Sequence, residues 1–286
     1  MPTNRLGSFA TTQNVCEGPH KLPTTHDTPA YFRPVVLIPV YNHPETVKAV
    51  VDEVVRLKLP VIVIDDGSEP GTAKACDRCQ GELVQVIHRR TNGGKGAALI
   101  TGMQAASIAD YTHVITLDSD GQMDPKAIPQ LLKLGRRFPH YVIASYPQAH
   151  DCLPAARRAF RAFSNVLANI NALSWSIEDA HCGLRLYPLP AICQLLARIH
   201  PGRHMQFDPE ILIRLLWLGV PLKNVPMQFT KPKDGLSHFS PWLDPCKILW
   251  MHSRLFVTML TRFPLIMICR LTGWHTIPSP KKSTLS

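Results

Sequence analysis

VITLDSDGQ, residues 114–122, is an apolar run that ends in two carboxylates, Asp118 and Asp120. It has the Val/Ile content of a buried strand, and side chains two apart on an extended chain point the same way. Two hard oxygen donors at a strand end can hold one Mg²⁺ or Mn²⁺ and leave positions open for phosphate oxygens. A lone D-x-D also occurs as a plain acidic turn, so its surroundings decide the reading.

Working outward, VVLIPV (35–40), VIVID (61–65), LVQVIH (83–88), HVITLD (113–118) and YVIAS (141–145) read as strands. Residues 44–57, 70–80, 94–109 and 125–137 read as the helices between them. Short continuous Val/Ile runs alternating with helices predict parallel strands buried on both faces. The expected fold class is α/β, a doubly wound and mostly parallel sheet that binds ligands at the carboxyl ends of its strands. Further on, 155–173 reads as an amphipathic helix. Phe160, Phe163, Leu167 and Ile170 share one face, and Arg157, Arg161, Asn165 and Asn169 another. A loop follows, then a short strand GLRLY, helices near 189–198 and 207–218, and an extended LKNVPMQF.

The other strand ends also carry chemistry. The first delivers Pro39 and Tyr41, where a nucleobase can stack, although a tyrosine after a strand is commonly a rim residue. The second ends in Asp65-Asp66-Gly67-Ser68. One aspartate there serves the turn, the other, taken as Asp66, accepts hydrogen bonds from base or ribose, and Ser68 can cap the next helix. After the third strand, Thr91-Asn92-Gly93-Gly94-Lys95-Gly96 can bring backbone N–H groups and the Lys95 charge to anionic oxygens. It lacks Walker A spacing. Base stacking, ribose contact, phosphate contact and metal at four successive strand ends describe a nucleoside diphosphate site.

The set IPVYN, DDGS, NGGKGAA, LDSDGQ and EDAHCGLR resembles family 2 glycosyltransferases of the A-type fold, over about residues 33–230. The resemblance implies inverting transfer of a sugar from a nucleoside diphosphate, UDP- or GDP-linked, with Mg²⁺ or Mn²⁺. It gives Pro39, Tyr41 and Asp66 to the nucleoside. Asp118 and Asp120 go to ribose, diphosphate and metal, and Lys95 to the nucleotide. Asp179-Ala-His-Cys-Gly-Leu-Arg185 is similar to the D-x-x-S-G-F-R box of dolichyl-phosphate mannosyltransferase-like members, with cysteine for serine and leucine for phenylalanine. On that reading Arg185 stabilises the departing diphosphate, and Asp179 is either the general base or only positions the acceptor. A structural Asp179–Arg185 ion pair is the plain alternative. MQFDPEILIRLLWLG, DGLSHF and the run from Pro241 to Leu260 resemble glycosyltransferases of bacterial aryl-polyene and related pigment-lipid pathways. His238 stands where the lipid-phosphate enzymes carry lysine, as an acceptor or phosphate contact or as a helix-entry or core histidine.

Charge distribution adds to this. Residues 31–120 net −2, whereas 121–286 net +12. A basic half suits anionic lipid or a phosphorylated acceptor, and without a nucleic-acid module or interleaved aromatics no nucleic acid is expected. Residues 255–271, LFVTMLTRFPLIMICRL, are the most apolar segment, but Arg262 and Pro264 split it, and a span needs ~20 mostly apolar residues. Arg254, Arg262 and Arg270 recur every eight residues, a drift of about 80° per step that leaves them on one broad face. Such a helix lies in a lipid interface or packs on the domain or a second copy. The first 30 residues lack a continuous apolar stretch, so no secretory signal is expected. Cys76 and Cys79 form a lone CxxC read as a packing face or a chance pair. The organisation expected is a disordered leader (1–32), a catalytic domain (33–232), an amphipathic membrane-proximal extension (233–275) and a flexible tail (276–286). Together these predict a cytoplasmic enzyme, peripheral on the inner membrane face and without a transmembrane span, acting on a lipid-linked or amphipathic acceptor. The rivals are a sugar-phosphate nucleotidyltransferase and a catalytically silent membrane-associated binding protein.

Overall fold

A computed structural model describes residues 32–148, 154–228 and 243–272. The leader, the tail and His238 lie outside the described residues. Seven strands form one sheet in the order β3-β2-β1-β4-β6-β5-β7. They are β1 (Pro34–Val40), β2 (Val61–Asp65), β3 (Val84–His88), β4 (His113–Thr116), β5 (Val142–Pro147), β6 (Arg185–Pro188) and β7 (Leu222–Met227). All neighbours pair parallel except β6, which runs antiparallel between β4 and β5. That reversal matters for the site. Arg185, the first residue of β6, pairs with Thr116, the last of β4. Residues just before β6 therefore reach the carboxyl end of the sheet, beside Asp118 and Asp120.

The helices are α1 (Val47–Arg56), α2 (Pro70–Asp77), α3 (Lys95–Ile108), α4 (Ile128–Arg137), α5 (Ala155–Ala172), α6 (Leu189–Leu196), α7 (Phe207–Trp217), α8 (Leu243–Thr261) and α9 (Phe263–Thr272). Val47, Val50, Val51 and Val54 of α1 and Ile128 and Leu131 of α4 pack on one sheet face with Cys76 and Cys79. The CxxC is thus a packing face, and burial pushes the Cys76 thiol up to about 12. On the other face α3 lies close because Gly102 has no side chain; a Cβ there would stand 2.7 Å from Ile64 Cδ1. Ile248, Met251, Leu255, Met259 and Ile266 of α8 and α9 belong to that same core. The expected extension is therefore packed into the catalytic body.

Two local expectations change, and one helix is oriented. Ser68 does not cap α2: Glu69 holds that position without a side-chain bond, while Ser68 Oγ accepts from Asn42 N and ties β1 to β2. The apolar segment is two helices meeting at 81° rather than one continuous helix. Pro264 brings no N–H to continue α8 and sits at the second position of α9, where none is needed. Arg254 and Arg270 accordingly do not share a lipid-facing stripe; they bond Glu210 and the carbonyls of Ala172 and Leu173. Finally, α5 turns its polar side inward. Ser164, Asn169 and Asn171 are buried while Phe163, Val166 and Ile170 are exposed.

Candidate active site

The strand ends and the wall made by α5, α7 and α8 enclose a cavity of about 360 Å³. Pro39, Tyr41, Asp66, Lys95, Asp118 and Asp120, all anticipated, line it together. Tyr41 follows β1 directly and Asp66 follows β2. Asp65 takes the turn's role instead, accepting from Ser68 N at 3.0 Å and pairing with His88 Nδ1 at 2.7 Å.

Asp66 has a further duty. Its carboxylate accepts from Gly94 N at 2.7 Å and Gly93 N at 3.1 Å and pairs with Arg89. The N–H groups of Gly93 and Gly94 are thereby spent on an internal carboxylate rather than on a ligand's phosphate. Gly94 (φ +90°) also admits the neighbouring loop: a Cβ would meet His204 Nδ1 at 2.3 Å.

Lys95 Nζ lies 2.6 Å from Asp118 Oδ1 and 2.7 Å from Asp208 Oδ2. Burial opposes its charge, but the two carboxylates outweigh burial and hold its pKa above that of free lysine. Gly183 makes this possible, since a Cβ would fall 2.6 Å from Nζ and 2.7 Å from Asp118 Oδ2. Burial and then Asp118 raise the Asp120 pKa to about 6. Two half-buried carboxylates on one cavity suit a hard cation. Among the described residues no group of three or more His, Cys, Asp or Glu has metal-binding geometry. A cation on Asp118 and Asp120 would complete its shell with water and phosphate oxygens.

Neither Asp179 nor Arg185, expected as general base and leaving-group clamp, lines the cavity. Arg185 is fully buried. It donates to the main-chain oxygens of Asp208 (2.7 Å), Ala180 (2.6 Å) and Asp179 (3.3 Å). It pins the loop before β6 to the start of α7. Nor is there an Asp179–Arg185 side-chain pair. Asp179 Oδ2 accepts from Arg161 Nη2 at 2.6 Å and Nε at 2.9 Å, and Oδ1 from His181 N at 2.8 Å. Burial opposes the carboxylate, yet Arg161 and His181 outweigh it and hold its pKa below the usual range, which suits an anchor better than a base.

Sequence reasoning did not single out His181, Asp208 or Asp244, or give Arg157 and Arg161 a place at the site, yet all five line the cavity. Asp208 sits in the first turn of α7, and its Oδ1 is buried without a partner. Asp244 and Ile248 come from α8, so that helix helps close the cavity.

The sequence signature described as Glycosyl transferase family 2 matches residues 35–194. The chain belongs to this family. This glycosyltransferase is 25% identical over 233 residues to polyprenol monophosphomannose synthase of Mycolicibacterium smegmatis, covering 75% of this chain and 85% of that one. It is 27% identical to dolichyl-phosphate beta-glucosyltransferase of Mus musculus, over 80% of this chain and 76% of that one. Among solved structures it resembles glucosyl-3-phosphoglycerate synthase from Mycobacterium tuberculosis in complex with Mn²⁺ and UDP-glucose. The TM-score is 0.58 at 18% identity, with 82% of this chain and 80% of that one covered. The glycosyltransferase A-type fold expected from the sequence is thus the fold observed.

Proposed function

We propose that the enzyme transfers a hexose from a nucleoside diphosphate sugar, with inversion, to the phosphate of a membrane lipid. One observation carries this reading: a single cavity is lined both by the strand-end carboxylates Asp118 and Asp120 and by Arg157, Arg161 and His181 of α5 and the loop before β6. The outer surface of that second wall is apolar. Phe163 and Ile170 of α5, Trp250, Phe256 and Leu260 of α8, and Ile268 and Leu271 of α9 are exposed, Trp250 by 72% and Leu271 by 82%. Such a patch on a basic half is suited to an anionic lipid surface such as the cytoplasmic leaflet. No single described helix is long and apolar enough to span a membrane, and α8 and α9 meet that measure only as a pair bent by 81°. The two relatives named above, one of polyprenol and one of dolichyl phosphate by name, support a lipid phosphate as acceptor.

The mechanism follows from the charges. Tyr41 and Asp66 hold base and ribose, and Lys95 lies against the diphosphate. A divalent cation on Asp118 and Asp120 would neutralise the leaving group. Arg157 and Arg161 draw the acceptor phosphate to the opposite end. Its oxygen attacks the anomeric carbon, the bond to the β-phosphate oxygen breaks, and the nucleoside diphosphate departs with the bonding pair. An ionised phosphate acceptor has no proton to lose, which fits an Asp179 committed to Arg161.

A panel of UDP- and GDP-sugars with Mg²⁺ or Mn²⁺ tests this, using polyprenyl phosphate in anionic vesicles as acceptor. The expected result is nucleoside diphosphate release and a glycosylated lipid from one donor, both lost in Asp120→Ala. Equal turnover with a water-soluble acceptor and no lipid product overturns the lipid assignment. Ile268→Asp with Leu271→Asp is expected to lower co-sedimentation with these vesicles at least about tenfold, since each removes an apolar contact and adds a like charge to anionic lipid.

A further inference from the structure

A chain of buried polar side chains runs from the cavity wall into the contact between α5 and α8. His181 Nε2 lies 2.8 Å from Ser164 Oγ, and Ser164 Oγ lies 2.9 Å from His252 Nε2. Asn171 Nδ2 lies 3.1 Å from His252 Nδ1 and 3.1 Å from the His252 carbonyl oxygen. The link spans three pieces of chain: the loop before β6, α5 and α8. Inverting α5, with its polar side inward, is what assembles it.

The proton positions follow from the last of these bonds. A carbonyl oxygen only accepts, so the amide of Asn171 must present its nitrogen to His252. His252 Nδ1 therefore accepts, and a neutral ring carries its proton on Nε2. That N–H donates to Ser164 Oγ. The serine hydroxyl donates onward to His181 Nε2, which leaves the His181 proton on Nδ1. Protonating His252 would set two N–H groups against each other. Burial supports the same state, lowering the pKa of His181 to about 3 and of His252 to about 4.

We infer that Asn171, His252 and Ser164 are positioning residues that hold His181 as the neutral Nδ1–H tautomer, an uncharged hydrogen-bond donor for the phosphate of the acceptor. The inference rests on reading the α5–α8 end of the cavity as the acceptor's. Its chemical sense is selectivity. Arg157 and Arg161 attract any anion, whereas a fixed single N–H favours an oxygen held at one point, as in a phosphate monoester. Asp179, 2.8 Å from the His181 backbone N, fixes the loop that carries the ring. The donor is thereby oriented from both its main chain and its far ring nitrogen.

Two measurements test it on the full chain. The first is tautomer assignment by nitrogen-15 NMR of histidine-labelled protein, with His181→Gln and His252→Gln spectra identifying the two rings. His181 is expected as Nδ1–H and His252 as Nε2–H at neutral pH. Finding His181 as Nε2–H, or charged, overturns the inference whether or not glycosyl transfer has been detected. The second is kinetic, with the lipid-phosphate acceptor. Ser164→Ala and His252→Met are expected to raise the acceptor KM about tenfold, the scale of one hydrogen bond to a charged partner, with donor KM unchanged. His252→Gln, which keeps an N–H near the Nε2 position, is expected to restore most of the loss. Equal changes in donor and acceptor KM, or a fall in Tm alone, would show a merely structural link and overturn it. If the tautomers are as stated but no lipid is glycosylated, the fault lies with the acceptor assignment and the phosphate contact falls with it.

Discussion

The strand-end side of the cavity and the wall opposite it are built by different rules. On the strand-end side, Tyr41, Asp66, Asp118 and Asp120 stand within four residues of a β-strand end and Lys95 opens the helix after β3, so their places follow from the parallel sheet. On the opposite wall, side chains are placed by partners far away in sequence. Arg161 is set by Asp179, and His181 by a relay ending on α8. The difference teaches that a strand register fixes position, whereas only tertiary packing fixes partnership.

The comparison breaks most visibly if a strand-end residue proves to be structural. Asp118→Ala is expected to cut glycosyl transfer on the order of 10³-fold, several kcal/mol of lost transition-state stabilisation. Tm should stay close to wild type, read by calorimetry beside the assay. Arg185→Met is the reverse experiment. It leaves the carbonyls of Asp208, Ala180 and Asp179 unpaired in the core, so a stability loss of at least about 3 kcal/mol is expected in urea unfolding. A normal Tm with lost turnover would instead return Arg185 to the leaving group. Gly183 joins the two regions. A Cβ there displaces Lys95 or Asp118, and Gly183→Ala is expected to lower kcat on the order of 10²-fold, as a misplaced catalytic group does.

Smaller effects sharpen the contrast through pH. On the far wall His181 and His252, and within β4 His113, are buried neutral bases with pKa values of about 3, about 4 and about 4. Burial lowers all three, so between about pH 6.5 and 4 the unfolded chain binds more protons than the folded one. Stability is full above that window and falls with acid, by up to about 1.4 kcal/mol per pH unit for each group. His252→Gln should therefore flatten the urea midpoint against pH. Near the strand ends His88 has the opposite sign. Its bond to Asp65 is the largest influence, and its pKa is raised. The stabilisation is present at low pH and lost as pH rises through the folded pKa. His88 is partly exposed, so solvent screening leaves a few tenths of a kcal/mol for His88→Gln, seen in Tm at pH 5 but not at pH 9.

Much of the fold was legible. The Val/Ile runs and intervening helices met their predicted positions within a few residues, because periodicity reports burial directly. With the strands placed, the convergence of Asp118, Asp120, Tyr41, Asp66 and Lys95 on one cavity was legible too. The inverted orientation of α5 was not. Its apolar stripe satisfies the rule for a core-facing helix, and the rule holds no term for a surface that meets something other than water. Asp208 could have been suspected from the acidic residue at the start of α7, but its pairing with Lys95 needs the sheet in place. The contacts of Asp179 and Arg185 were not legible, because a box motif gives spacing, and spacing cannot tell a side chain that reaches the cavity from one that reaches back to its own loop.

The two faces of α8 impose separate demands on one short stretch of chain. Asp244, Ile248 and His252 look inward, to the cavity and the relay, while Trp250, Phe256, Val257 and Leu260 look outward. A helix read from both sides has few silent positions. Inward changes alter what is recognised, and outward changes alter where the enzyme works. Drift in one property therefore constrains the other, and a descendant moving to a new acceptor and a new surface would have to rewrite this helix twice within the same nineteen residues.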